Sequence, residues 1–193
     1  MRKASSIRPR LAYEVDRLDC TTSICFSDAR RRRSKESILL IQGNLAATYQ
    51  FLGRDEEALR LWQDVYSKRL KLMGEEHVKT LLAATNYAAI LIDLKRFEEA
   101  KLLLRKRIPA ARRVLGESHV VMLWMRRNYA EALCRVDGAT LDDVREAVNT
   151  LEETERTARR VLGGAHPDVA AFEKTLRNAR ADLRARETPG DDA

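Results

Sequence analysis

Glycine and proline are scarce in this 193-residue chain, at 8 and 4 residues, and that shortage excludes folds built from many tight turns. A β-sandwich or barrel is therefore out. Three cysteines, Cys20, Cys25 and Cys134, are too few for a disulfide framework and fit a reducing compartment. The aliphatic run Ile38 to Ile41 falls far short of a membrane span or the apolar core of a secretory signal. Acid is missing from Met1 to Arg10, a faint likeness to an organellar leader, but Glu14, Asp16 and Asp19 interrupt it, and a cytoplasmic location is expected.

What is abundant is charge, 34% of residues, beside 45% hydrophobic content, the mixture of charged-surface helices around one real core. The formal charge of +7 is concentrated at one end: residues 1–37 hold ten basic and five acidic side chains. The remainder is nearly neutral, which argues against a phosphate-backbone partner, because such binding needs clustered Lys and Arg.

The chain repeats itself. Asn44-Leu45-Ala46, Asn86-Tyr87-Ala88 and Asn128-Tyr129-Ala130 are spaced by 42 residues, and Arg-x-Glu-Glu-Ala at 54–58 returns at 96–100. Gly74-Glu75-Glu76-His77 recurs 42 residues later as Gly116-Glu117-Ser118-His119, and 47 residues after that as Gly163-Gly164-Ala165-His166. The extra length lies in the turn around Val136 to Leu141.

Each repeat reads as two amphipathic helices. The first, near 36–52, carries Leu45, Thr48, Tyr49 and Leu52 at helical intervals, and the second carries Ala58, Leu61, Trp62 and Val65. Gly53-Arg54-Asp55 joins them, and Gly74, Gly116 and Gly163 suit the left-handed conformation that closes helices. Ala58 and Ala100 face Ala46 and Ala88, where small side chains let backbones approach, and Trp62 reads as core. Pro109 inside a helix predicts a kink.

This pattern resembles the tetratricopeptide repeat in its 42-residue kinesin light chain form over about residues 36–187. Val78 and Val120 depart from the Pro that the family places after His, which only His166-Pro167-Asp168 keeps. The resemblance implies an all-α, right-handed superhelical solenoid. Its expected parts are a flexible basic tail (1–34), repeats at about 36–77, 78–119 and 120–166, a capping helix (168–187) and a disordered end (188–193).

Asn is a mediocre helix former, so recurring mid-helix Asn44, Asn86 and Asn128 need another reason to be there. They either line the concave face, where an amide can both donate to and accept from a peptide backbone, as the resemblance implies, or tie one helix to the next. Trp124, Arg127, Asn128 and Glu131 share one helix face. Trp124 either stacks on a client's aromatic side chain or is buried between repeats; Arg127 can pair with an acidic one.

His77, His119 and His166 occur once per repeat without a local partner at ligand spacing, so no metal site is expected. No phosphate loop, nucleophile turn or convergent carboxylate pair is present, so neither catalysis nor a cofactor is expected. The run Arg30 to Lys35 reads as solvated, with a nuclear address, an acidic-surface anchor or a nucleic-acid contact as its specific alternatives.

The expected function is a scaffold or adaptor holding a client peptide on its concave face, with no small-molecule substrate and no membrane. The alternative is a self-associating fragment of a larger signalling or sensor protein, because the first repeat begins on the apolar Ile38-Leu39-Leu40-Ile41, which needs a cover from either the tail or another chain. RNA-binding helical hairpins use a shorter period and a basic groove, which this chain lacks.

Overall fold

A computed structural model describes residues 23–188, with side chains from Ser34 onward. It contains seven helices: α1 (Ser23–Phe51), α2 (Asp55–Met73), α3 (Val78–Asp93), α4 (Phe97–Leu115), α5 (Val120–Arg135), α6 (Leu141–Leu162) and α7 (Pro167–Glu187). Successive helices pack on one another, α3 also packs on α5, and α5 on α7. The first helices of the hairpins thus form an inner layer and the second helices an outer one, an all-α solenoid.

Alanine decides how closely the hairpins close. Ala46, Ala58, Ala88, Ala100, Ala130 and Ala147 are fully buried, leaving room for larger neighbours such as Leu104 and Leu151. Gly43 does the same for Trp62, since a Cβ there would stand 3.4 Å from the indole. Trp62 is buried in the first core cluster, with Leu39, Ala46 and Val65.

Gly74, Gly116 and Gly163 end α2, α4 and α6, but not in the left-handed helical region that the spacing predicts. Gly74 takes φ 85° and ψ 175°, an extended positive-φ conformation that a Cβ makes costly. The chain then turns straight into a histidine N-cap: the imidazole Nδ1 of His77, His119 and His166 accepts from the backbone N–H two residues on. One histidine per repeat is a capping device, which its chemistry allows although Ser, Thr, Asp and Asn are the usual caps.

Two expectations change, while Pro109 falls inside a helix as expected. Helix α1 begins at Ser23, not near residue 36, so residues 23–34 of the predicted tail are helical; residues 1–22 and 189–193 lie outside the described part. Helix α4 continues through Pro109 to Leu115; Pro109 is exposed, so the carbonyl left without its N–H partner is near water. The five extra residues of the third repeat are shared, two in the turn and three as an earlier start of α6 relative to Ala147. Thr140 caps that longer helix through a reciprocal capping box with Asp143.

Candidate functional site

The repeat register fixes the inner surface. Leu40, Asn44, Ala47 and Phe51 lie on one side of α1, and one repeat later Leu82, Asn86, Ala89 and Asp93 take the same places on α3. Leu40, Asn44 and Phe51 are exposed, Phe51 to 78%, while Leu82, Asn86 and Ala89 are half-buried. Helix α1 is tied to α3 by polar bridges at its middle and near its C-terminal end: Lys79 Nζ to Glu36 Oε2 at 2.8 Å, and Gln50 Nε2 donating to Asp93 Oδ2 at 2.5 Å. Between those bridges this face exposes Leu40 and the Asn44 amide beside the half-buried Leu82, Asn86 and Ala89, and Phe51 lies just past the second bridge.

The third repeat is built differently. Asn128 is 1% exposed, and its Nδ2 donates to the Thr85 carbonyl at 3.3 Å while its Oδ1 accepts from Arg127 Nη1 at 3.0 Å. Arg127 Nε donates to Thr175 Oγ1 at 2.9 Å, and Nη2 lies 2.8 Å from Glu131 Oε2. Trp124 is 6% exposed, donates Nε1–H to Asp168 Oδ2 at 3.1 Å and meets Phe172 edge-on with centroids 4.9 Å apart. The structure thus separates the five expected groove residues. Asn44 and Asn86 face accessible space, whereas Trp124, Arg127 and Asn128 join α3, α5 and α7 to each other and offer no free side chain to a client. The physical reason is α7, which covers α5 with Asp168, Phe172 and Thr175.

Leu40, Phe51 and Leu82 were missed by the sequence reading, although their signal was available: each holds a fixed offset from the repeating Asn. Beyond them, an open cleft of about 690 Å³ lies at the enlarged turn, lined by Lys95, Glu131, Cys134, Arg135, Asp137, Asp182 and Arg186 among others. Its charges balance, and Arg186 closes one wall by donating to the Ala139 carbonyl at 2.6 Å. Burial pushes the Cys134 thiol up to about 11, so it is a protonated, poor nucleophile near neutrality. Among the described residues no three His, Cys, Asp or Glu side chains converge on a metal-sized space, and no helix is long and apolar enough to cross a membrane.

Residues 37–113, which include the exposed part of the inner face, match the tetratricopeptide repeat family model. Over those residues the chain is similar to the tetratricopeptide repeat family. No curated protein matches it. Among solved structures, its fold is similar to that of nearly identical TPR-like repeats from Podosopora anserina assigned as a kinesin light chain, with a TM-score of 0.54. The identity is 23%, covering 80% of this chain and 77% of that one, a likeness of fold. In a tetratricopeptide solenoid each hairpin buries its apolar face only against its neighbours, and the stacked inner helices leave an extended surface. Such repeats are interaction scaffolds rather than enzymes.

Proposed function

We propose that this protein is a scaffold that grips an extended client peptide on the inner face of its first two repeats. The observation that carries this reading is the shared register of two accessible amides, Asn44 and Asn86, with the apolar side chains Leu40, Phe51 and Leu82. The amides hydrogen-bond a peptide main chain, and the apolar groups take alternate side chains. Aromatic residues suit the apolar surface, and acidic ones suit Lys95 and Arg135 at the adjoining cleft. Only two repeats offer open positions, so a single peptide buries a modest area and binds in the micromolar range. A cytoplasmic adaptor role belongs to the same reading.

The test is binding of the full chain to fluorescent aromatic-acidic peptides and their scrambled counterparts. Selective binding that weakens at least several-fold in Asn44→Ala and Asn86→Ala supports the reading. Binding unchanged in the double variant, or absent from the folded wild-type chain, overturns it.

A further inference from the structure

Helix α1 carries a second apolar stripe, distinct from its inner face. Ile38, Ile41, Leu45 and Leu52 recur at helical spacing with Thr48 between them, and all are exposed, Ile41 to 65% and Leu45 to 41%. One repeat later the same register positions are Thr80, Ala83, Tyr87, Ile90 and Leu94, every one buried or half-buried. The side of α3 that a preceding hairpin covers is thus the side of α1 that nothing described covers. The stripe runs through four turns with Thr48 its one polar member, and apart from Leu40 and Phe51 on the inner face the other exposed apolar side chains among the described residues, such as Leu72, Leu102 and Val114, are scattered.

We infer that this stripe is the interface between two copies of the chain, paired antiparallel through α1 about a two-fold axis at Leu45. The stripe is self-complementary in that register. Leu45 meets Leu45 of the second copy, Ile38 meets Leu52, and Ile41 meets the edge formed by Thr48 and Tyr49. Charge agrees with the same direction: exposed Lys35 falls beside the α1–α2 turn of the second copy, where exposed Glu56 can pair with it, at both ends of the pair. A parallel pairing sets Lys35 against Lys35. Propagation into a filament has no counterpart surface, because α7 at the far end of the stack presents no large exposed apolar side chain. An isologous contact closes on two copies. The peptide-binding positions Leu40, Asn44 and Phe51 lie on another side of α1, so the two readings stand or fall separately.

The experiment is sedimentation equilibrium on the full chain across roughly 1–100 µM, with circular dichroism confirming that each variant is folded. The expected result is a dimer of the 22.1 kDa chain that becomes monomeric in Leu45→Glu, where the axis brings two new charges together, and remains dimeric in Phe51→Glu. Lys35→Glu weakens the dimer, and pairing it with Glu56→Lys restores it. Should Leu45→Glu fail to fold, oxidation of Leu45→Cys in a background lacking the native cysteines links two copies, whereas Phe51→Cys does not. A wild-type chain that stays monomeric at 100 µM overturns the inference. So does a dimer that survives in folded Leu45→Glu, or cross-linking that is equal at residues 45 and 51.

Discussion

The side-chain amide of Asn128 donates to the main-chain carbonyl of Thr85 at 3.3 Å, so a repeat landmark on α5 holds the preceding inner helix. Its oxygen accepts from Arg127, which reaches on to Thr175 of α7, and three inner helices share one buried network. Asn44 occupies the same register and is exposed. One recurring residue therefore serves two roles, set by what lies on either side of its helix.

That division predicts opposite behaviour for two identical substitutions. Asn128→Ala removes a buried partner from the network and lowers stability by about 1–3 kcal/mol in urea denaturation. Asn44→Ala changes stability by less than about 0.5 kcal/mol. Equal losses at both positions are inconsistent with the assignment.

Trp124 and Asp168 yield a second prediction. Asp168 Oδ1 has no hydrogen bond, with His166 Nδ1 3.9 Å away, and Oδ2 has the indole N–H, so Trp124→Phe leaves a buried carboxyl group with neither oxygen hydrogen-bonded to a side chain. The expected loss is about 2 kcal/mol. Asp168→Asn keeps an acceptor for the indole and should destabilise less than Asp168→Ala by the same denaturation measurement.

Lys95 stands where the first repeat has Gly53, with φ 61° against 71°. A residue with a Cβ is strained there by about 1–2 kcal/mol. Replacing it by Gly relieves that strain against a partial loss from the freer unfolded chain. The expected net effect is a gain of about 0.5–1 kcal/mol, visible as a higher Tm. An unchanged or lowered Tm would show that Lys95 contributes more than its backbone conformation.

The capping box at the enlarged turn is pH-sensitive. The Thr140 hydroxyl and N–H hold the Asp143 carboxyl below its ordinary range. A carboxyl held low in the folded state adds stability above the usual carboxylate pKa, and that stability is lost as pH falls through the lowered value. Thr140→Ala should therefore cost about 1 kcal/mol near neutrality. The difference from wild type should narrow in acid as Asp143 protonates, when thermal melts are compared across pH.

Much of the architecture was legible because a solenoid is built from local contacts. The 42-residue period located six of the hairpin helices, and Trp62 and the paired alanines were readable as core from spacing on a single helix. The start of α1 was not legible, since residues 23–35 carry no repeat landmark. Histidine capping was equally hidden, because the residue type is an unusual cap and only the backbone geometry at 77–79, 119–121 and 166–168 shows it. At the candidate site, the register of Asn44 and Asn86 could be read from the sequence, but the burial of Trp124 could not.

The sequence by itself determined the repeat length, the order of the helices, the position of the enlarged turn and the register that places an asparagine on each inner helix. These depend on periodicity and on contacts between neighbours in the chain. Tertiary structure decided which of those asparagines remains accessible. Asn128 is enclosed because α3 and α7 flank α5 and complete its hydrogen bonds, whereas Asn44 has no preceding described helix beside it. Exposure is a property of the stack, set by helices more than forty residues away, and no local pattern encodes it.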